Sequence, residues 1–231
     1  MVPAGTFGRA RCQCRPTARH VAACNQLLAV HARPPPHAGV IYEGVIVTAT
    51  LERVAHITPL GFRERDGEVE LAPYLPSITQ DNLRRHPYAV MNLCDDVRVI
   101  AGCLTGRRDW PLVRATTIPG WRLRDCLAHR ELALSSIIED DTRPRFRCRV
   151  VHEEIHGAFR GFNRAQAAVL EAAILVSRLD WLPPEQVRTD LRYLQTAIDK
   201  TAGEGEREAW QWLLSAIAAH PRHRAAGAAR G

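Results

Sequence analysis

The sequence has one lysine, two methionines, few aromatic residues and no long apolar run. Lys200 is the only lysine among 31 basic residues, so arginine carries almost all of the positive charge. No stretch approaches the roughly 20 consecutive apolar residues that a membrane-spanning helix needs. With 15 glycines and 15 prolines in 231 residues and no sustained heptads, collagen, coiled coil and wholesale disorder are excluded. We therefore predict one soluble domain, or a core domain with a small appendage.

The cysteines do not form a recognisable disulfide or metal pattern. There are 7 of them, an odd number, and no Cys-x-x-Cys pair occurs. This usage argues against a disulfide scaffold and favours a reduced, cytoplasmic setting. Cys12 and Cys14 resemble half of a metal site, but no nearby pair of histidines or cysteines completes it in a usual spacing. We interpret them as incidental thiols and predict no bound metal.

The net charge of +6 is concentrated in the N-terminal segment. Five arginines precede Glu43, the first acidic residue, and the rest of the chain carries a charge of about +1. One hypothesis is a module that binds nucleic acid through this basic segment, with an affinity that falls steeply as salt rises. The near-neutral body argues against it. We predict neither a nucleic-acid partner nor a membrane partner.

Composition divides the chain into four segments. Residues 1–38 are rich in arginine, alanine and proline and end in a run of three prolines, which favours a disordered extension. An organellar transit peptide is the alternative, but this segment contains no serine. Residues 39–160 show strand patterns and residues 161–220 show helical patterns. Residues 221–231 are predicted to be a disordered tail.

The pattern of residues 39–160 predicts an antiparallel barrel. Asp66 and Gly67 form a dipeptide that is typical of a hairpin turn. Strands joined mainly by hairpins, with only short helices between them, favour an α+β fold with an antiparallel β-barrel over a parallel sheet. The predicted strands are rich in β-branched residues and cover residues 40–50, 54–63, 69–74, 88–93, 130–138 and 145–155.

Helical patterns cover residues 79–86 and 97–104 and most of the last third of the chain. There the first helix begins after Asn163, a residue suited to capping, and ends before Pro183. Two amphipathic helices follow, over residues 185–200 and 204–219. We expect the apolar face of the last one to pack on the barrel or on a second subunit, and that face consists of Trp210, Leu213, Leu214 and Ile217.

The common catalytic signatures are absent from the sequence. It contains no Gly-x-Gly-x-x-Gly, no Walker loop and no Gly-x-Ser-x-Gly. His152 and His156 are spaced to lie on one face of a strand, where they could form half of a metal site. A solvated strand face is the favoured interpretation of this pair. No residue is identified as an obligate acid or base, so no catalytic residue is predicted.

One segment has the chemistry of an anion site. Ser77 and Thr79 place hydroxyl groups where a helix begins and its first amides lack partners, which suits a phosphate. A plain N-cap without a ligand is the alternative, and this segment alone favours it. Pro59 and Gly61 in the preceding strand favour a ligand site over a plain N-cap. Proline removes a ladder donor, and glycine allows a flat ligand to approach closely.

Four ordered blocks occur in the barrel region of the sequence. They are residues 58–62 (Thr-Pro-Leu-Gly-Phe), 71–74 (Leu-Ala-Pro-Tyr), 77–83 (Ser-Ile-Thr-Gln-Asp-Asn-Leu) and 89–96 (Ala-Val-Met-Asn-Leu-Cys-Asp-Asp). These blocks resemble the FMN-binding split-barrel flavoproteins, and in particular the domain of unknown function 447 family of archaeal and methylotroph proteins. Residues 162–165 (Phe-Asn-Arg-Ala) are similar to that family's C-terminal helix signature. The resemblance covers about residues 40–218 and does not include the N-terminal segment.

The resemblance implies a six-stranded split barrel that forms a homodimer, with FMN between the subunits. Thr79 and Asn82 match a Thr-x-x-Asn pattern that holds the FMN phosphate in flavin-reductase relatives, and Ser77 would add a hydroxyl. The resemblance also places Asn92 at the cofactor. The strand that lines the isoalloxazine ring would be formed by Thr58, Pro59, Leu60, Gly61 and Phe62.

The sequence departs from the relatives at two positions near the implied phosphate. Ile78 stands where flavin reductases often have a basic residue, so another cation must neutralise the phosphate. Arg164 and Arg63 are the candidates, and we include Arg164 among the expected cofactor-binding residues. Pro76 stands where a small residue such as glycine is expected, which would alter the loop.

Two functions follow from the resemblance. The first is an FMN-dependent redox enzyme that acts on a small organic substrate, with a link to pterin-dependent one-carbon metabolism implied by the methylotroph relatives. The cofactor would carry the hydride or electrons while the protein orients it. The second is a non-enzymatic flavin carrier or sensor, which would bind the cofactor without turning over.

Overall fold

Six antiparallel strands close into a barrel in the computed structural model, which describes residues 39–228. Around the barrel the strands follow the order β1-β2-β3-β8-β7-β4, and β4 pairs with β1 to close it. This architecture confirms the predicted fold class. The barrel strands are β1 (Tyr42–Ala49), β2 (Ala55–Arg65), β3 (Glu68–Leu71), β4 (Tyr88–Leu93), β7 (Ala128–Ile138) and β8 (Arg145–Ile155).

The remaining elements are a small hairpin and six helices. The hairpin consists of β5 (Leu112–Arg114) and β6 (Trp121–Leu123). The predicted N-terminal extension, with Cys12 and Cys14, lies outside the described residues, as do residues 229–231. The helices are α1 (Ile78–Arg85), α2 (Arg98–Leu104), α3 (Arg164–Val176), α4 (Pro184–Thr201), α5 (Glu204–Ala219) and α6 (Pro221–Ala228).

Alternation along the strands builds the barrel core. On β1, Ile46 points inward, while Val45 and Val47 point to the outer wall. Both faces are buried because helices and the hairpin cover the outer wall here, which explains the nearly continuous apolar run of this strand. The inward side chains form one packed cluster that includes Ile46, Phe62, Leu71, Met91, Leu132 and Phe146.

Helix α2 lies between the barrel and the other helices and is apolar on both sides. Val99 and Cys103 pack against the outer wall of β1, β2 and β4. Val97, just before the helix, and Ala101 pack into the core of the helical region instead. Two-sided burial makes α2 the layer that connects the barrel to α3, α4 and α5.

The apolar face of α5 is buried as the sequence predicts, but its partner differs from the prediction. Trp210 and Leu213 pack among α2, α3 and α4 rather than on the barrel or a second subunit. Trp210 is 1% exposed, and its ring Nε1 donates to Gln195 Oε1 at 3.0 Å. This bond satisfies the buried indole N–H, as a buried tryptophan requires.

The hairpin and helix α6 were not expected from the sequence. The hairpin strands β5 and β6 have three residues each, which is too short for a periodic signal. Residues 221–228 form α6, in a segment predicted to be a disordered tail. His223 anchors this helix, because its Nε2 lies 3.0 Å from the carbonyl oxygen of Leu179.

The cysteines of the described part of the chain are free thiols. Burial raises the pKa of Cys103 to about 11 and that of Cys148 to about 12, so neither is a reactive thiolate near neutral pH. Between residues 39 and 228, no helix combines the length and apolar character needed to cross a membrane. The described free cysteines are Cys94, Cys103, Cys126 and Cys148.

A buried carboxylate holds the hairpin against the barrel. Glu131 on β7 is fully buried and accepts hydrogen bonds from the backbone amides of Thr116, Thr117 and Ile118, the last two at 2.7 and 2.8 Å. Burial opposes ionisation, but these three amide bonds outweigh it and lower the pKa of the Glu131 carboxyl. Glu131 is therefore an ionised acceptor that fixes the loop before β6.

We predict that Glu131→Gln lowers the free energy of unfolding by about 2–3 kcal/mol, because the amide loses the charge and turns a donor towards backbone N–H groups. Urea denaturation at pH 7 measures this change. Glu208→Gln is the matched control, since this half-exposed carboxylate pairs with Arg98 at the surface, where such pairs contribute at most about 1 kcal/mol. Equal stabilities of the two variants would contradict the anchoring role of Glu131.

Candidate functional site

Helix α1 begins at Ile78, one residue before the start that the sequence predicts. The N-cap residue is Ser77, whose Oγ accepts a hydrogen bond from the backbone amide of Gln80 at 3.5 Å. This cap satisfies one of the first amides and leaves the amides of Ile78 and Thr79 without partners inside the helix. The start of α1 therefore presents unpaired N–H groups and the positive end of the helix dipole.

Thr79 and Asn82, one turn apart, both face the barrel. Thr79 is 1% exposed and Asn82 is 5% exposed. Asn82 Nδ2 donates to Thr48 Oγ1 on β1 at 2.9 Å, and the neighbouring Leu83 lies in the barrel core. Within residues 39–228, no group forms a hydrogen bond with the Thr79 hydroxyl. Asn82 thus fixes the helix to the wall, while Thr79 keeps its hydroxyl available.

The turn between β7 and β8 brings an arginine to the segment before α1. Arg143 Nε donates to the carbonyl oxygen of Ala72 at 2.7 Å, and its guanidinium lies 4.5 Å from the centre of the Tyr74 ring. Asp140 shapes this turn by accepting from the amides of Thr142 and Arg143. The sequence identified the turn but gave no sign that it folds back towards Ser77, so Arg143 was missed.

The predicted ring-binding segment of β2 is divided between the two faces of the strand. Thr58, Leu60 and Phe62 are on the inward face, and Phe62 is 3% exposed in the barrel core. Pro59 and Gly61 are on the outward face. Thr58 and Leu60 are half-buried, as Pro59 and Gly61 are, whereas the buried Phe62 offers a ligand almost no side-chain surface.

The space above Gly61 is partly filled by the start of β1. A Cβ at Gly61 would lie 2.9 Å from Ile41 Cγ2 and 3.4 Å from Glu43 Oε1. Glu43 Oε1 ends a flexible side chain, whereas Ile41 Cγ2 is a methyl group on the stiff, branched β-carbon. Burial and the nearby Glu171 raise the pKa of the Glu43 carboxyl, with Arg143 acting in the opposite direction. A carboxyl that keeps its proton to higher pH than an ordinary glutamate therefore lies beside Gly61.

Asn92 and Arg164, two other predicted site residues, lie elsewhere. Asn92 is fully buried. Its Nδ2 donates to the carbonyl oxygens of Val45 and Val90, and its Oδ1 accepts from the amide of Leu123. Because the amide nitrogen donates to β1 and β4 and the amide oxygen accepts from β6, the predicted cofactor contact at Asn92 has no support in this geometry.

The two cations suggested by the sequence are also not at the start of α1. Arg164 is exposed in the first turn of α3, a helix that packs on α2, α4 and α5, whereas α1 packs on β1 and β2. Arg63 lies on β2, with one guanidinium nitrogen 4.0 Å from the buried carboxylate of Glu70. Within a single copy of the chain, Arg143 is better placed than either.

Family models match both parts of the described chain. Residues 42–157 match "Protein of unknown function (DUF447) N-terminal domain" and residues 163–215 match "Protein of unknown function (DUF447)". The chain belongs to the DUF447 family. The first match covers the barrel with the hairpin and α2, and the second covers most of the helical region, so the family resemblance found in the sequence is confirmed. No curated protein matches this DUF447 chain significantly.

One solved structure shares the fold at low sequence identity, and others are similar over part of the chain. The FMN-bound DUF447 protein MM1853 from Methanosarcina mazei is 16% identical with a TM-score of 0.67, covering 77% of this chain and 95% of that one. The 2-nitrobenzoate 2-nitroreductase NbaA from Pseudomonas fluorescens is 16% identical with a TM-score of 0.44, covering 58% and 72%. The styrene monooxygenase flavin reductase from Pseudomonas putida S12 is 14% identical with a TM-score of 0.43, covering 51% and 82%.

We predict that the Asn82–Thr48 bond stabilises the DUF447 barrel. Asn82→Ala and Thr48→Val should each lower the free energy of unfolding by about 1–2 kcal/mol, because each leaves a buried partner unpaired. The double variant should lose less than the sum of the single losses, by about 0.5–1.5 kcal/mol. Urea denaturation of all four proteins measures this coupling. Strictly additive losses would show that the two side chains do not interact.

Proposed function

We propose that this DUF447 protein binds FMN with the phosphate at the start of α1, and that it acts as an oxidoreductase on a small organic substrate. The observation that carries the proposal is the start of α1, where the backbone amides of Ile78 and Thr79 and the Thr79 hydroxyl have no hydrogen-bond partner among the described residues. Unpaired donors at a helix start suit an anion such as phosphate. The family relationship to a protein described as FMN-bound supplies the identity of the ligand.

The residues around Thr79 fit a phosphate dianion. The amides of Ile78 and Thr79 point out of the helix start, and the hydroxyls of Ser77 and Thr79 add donors. Arg143 supplies the positive charge that Ile78 does not. Its guanidinium is already oriented by Ala72 and Tyr74 on the segment that leads into α1. Charge-assisted hydrogen bonds of this kind are roughly twice as strong as neutral ones.

The outward face of β2 fits the flavin ring in this proposal. Pro59 and Gly61 present backbone there without bulky side chains, and Ile41 is able to move because it is half exposed. When bound, FMN supplies hydride or electron transfer. The chain's own part is to hold and orient it, and Glu43 keeps a proton beside Gly61 to higher pH than an ordinary carboxyl does.

A flavin carrier or sensor is the competing function, and turnover separates the two. A holoprotein that oxidises NADH or NADPH with an organic acceptor is an enzyme, whereas one that holds flavin without turnover is a carrier. The pterin-linked substrate implied by the resemblance gains no support from the residues around the site.

We predict that full-length protein binds one FMN per chain and that Thr79→Val and Arg143→Ala each weaken FMN binding about 10–100-fold. This range corresponds to the loss of one hydrogen bond to a charged group, about 1.5–3 kcal/mol. Quenching of flavin fluorescence during titration measures the dissociation constants. Thr79→Val should leave the much weaker riboflavin affinity unchanged, because riboflavin lacks the phosphate.

Arg65→Ala is the matched control for Arg143→Ala, since Arg65 is exposed at the far end of β2. It should bind FMN as the wild-type protein does. Arg164→Ala tests the cation suggested by the sequence. A loss of affinity in Arg164→Ala with none in Arg143→Ala would reinstate Arg164 as the phosphate's counter-charge. Failure of the folded wild-type protein to bind FMN would refute the proposed function.

The proposed assembly is a homodimer that covers the edges of this site. Exposed apolar side chains border it on two segments, at the start of β1 and around the start of α1. Apolar side chains grouped in this way mark surfaces that a partner covers. Those residues are Val40, Ile41, Tyr74, Leu75 and Ile78.

We predict that sedimentation equilibrium finds a dimer and that Ile78→Asp weakens its association at least about tenfold, because a carboxylate is costly to bury without a partner. Leu51→Asp is the control, since Leu51 is also exposed but lies in the β1–β2 turn. A monomeric wild-type protein, or the same loss in both variants, would contradict this interface.

A further inference from the structure

Four ionisable side chains share one patch of the β7–β8 pair, on the outer face of the barrel. The strand register places His129 opposite Glu154 and Glu131 opposite His152. Side chains of residues two apart on a strand, and those of directly opposed residues, lie on the same face. His156 follows β8, and its amide continues the pairing by donating to Leu127.

Three of these side chains are close enough to one another to bind a single metal ion. One potential ligand atom from each of His129, His152 and Glu154 lies within 4.8 Å of the others. The Glu154 carboxylate is 3.8 Å from His152 Nε2 and 3.9 Å from His156 Nδ1. Both separations are too long for hydrogen bonds. The carboxylate therefore faces two imidazoles without bonding to either.

One ring nitrogen in this group is buried and unsatisfied. His152 Nε2 is closed to solvent and has no hydrogen-bond partner among the residues that the structure describes. A buried polar atom without a partner is rare and requires an explanation. A cation between His152 and Glu154 would explain both this orphan nitrogen and the unbonded carboxylate.

Two neighbouring side chains hold the His129 ring in place. Its Nε2 lies 3.4 Å from Glu131 Oε1, and its Nδ1 lies 2.9 Å from His156 Nε2. Glu131 is itself fixed by three backbone amides. A carboxylate behind a histidine is the arrangement that orients metal-binding imidazoles in proteins. With Nε2 facing Glu131, His129 offers a metal its Nδ1, so metal binding replaces the contact between His129 Nδ1 and His156 Nε2.

We propose that His129, His152 and Glu154 bind one divalent transition-metal ion of the zinc class, with His156 beside them as a further imidazole. Two imidazoles and a carboxylate are a common ligand set for such ions. Zinc bonds of 2.0–2.1 Å place tetrahedral ligand atoms about 3.4 Å apart. The atoms of His152 and Glu154 need to approach by only a few tenths of an ångström from their present separation of 3.8 Å.

The charge of the surroundings is compatible with a cation. Arg122 acts electrostatically on His129, but its guanidinium is engaged by the carbonyl oxygens of Leu123 and Arg124. Glu131 and Glu154 supply two carboxylates. The sequence alone favours a solvated strand face for His152 and His156. It does not show that His129 and Glu131 lie beside them, because that depends on how β7 pairs with β8.

This metal site is separate from the proposed FMN site. Arg143 lies at the closed end of the β7–β8 hairpin, whereas Glu154 lies at its open end. The nine residue steps from Arg145 to Glu154 along β8 span about 30 Å at a strand rise near 3.3 Å per residue. Loss of one ligand therefore leaves the residues that hold the other unchanged.

Isothermal titration calorimetry of the full-length, chelator-treated protein with ZnCl₂ alone tests the proposal. We expect one site per chain that is weakened at least about tenfold by His152→Ala and by Glu154→Gln. Glu153→Gln is the matched control, because Glu153 is adjacent on the same strand but pairs with Arg130 on the opposite face. His220→Ala controls for the loss of a histidine elsewhere.

Two further readouts distinguish this site from zinc bound elsewhere on the chain. Zinc should raise the midpoint of thermal unfolding in the wild-type protein and in Glu153→Gln, but not in His152→Ala. Cobalt(II) bound in place of zinc should show no sulfur-to-metal charge-transfer band, which excludes Cys12 and Cys14 as ligands. Equal zinc affinity in all variants, a sulfur band, or no binding by the wild-type protein would each overturn the proposal and leave a hydrogen-bonded histidine cluster.

Discussion

The hydrogen bond between Asn82 and Thr48 determines where the start of α1 lies on the barrel. It joins a short helix to β1 in a buried setting, at 2.9 Å, and Leu83 secures the same helix by entering the barrel core. Breaking such a contact leaves a buried donor or acceptor unpaired, so the helix start has little freedom to move. Ser77 and Thr79 are positioned by this attachment rather than by the helix alone.

Polar side-chain contacts also hold other connecting segments against the barrel. Asn92 holds β6 against β1 and β4, Glu131 holds the loop before β6, and Arg143 holds the segment before α1. In each case a side chain on or beside a barrel strand bonds to backbone groups of the connecting segment. The barrel therefore positions its loops through buried polar contacts, while α2 joins the barrel to the helical region through apolar ones.

The fold was largely predictable because its signals are local. The strand β8 and the helices α1, α2 and α5 were predicted within a residue or two, since β-branched runs, caps and apolar stripes act over short distances. The hairpin pattern predicted an antiparallel barrel, and the family resemblance specified a six-stranded split barrel. The short strands β5 and β6 were missed because three residues carry no usable periodicity.

The site was less predictable because its residues meet through the register of the strands. Ser77 and Thr79 were identified from a helix start, which is a local feature. Arg143 and Glu131 act on backbone groups far away in the sequence, so nothing beside them indicated their partners. Asn92 shows the converse case, because a motif residue expected at the cofactor is fully used in holding three strands together.

The central claim is that the start of α1 receives the phosphate of FMN. A crystal structure of the full-length protein grown with FMN tests it most directly. We expect phosphate oxygens within hydrogen-bond distance of Thr79 Oγ1 and the Arg143 guanidinium, with the flavin ring along the outward face of β2. A flavin bound with its phosphate elsewhere, or crystals in which the start of α1 binds nothing at saturating FMN, would contradict it.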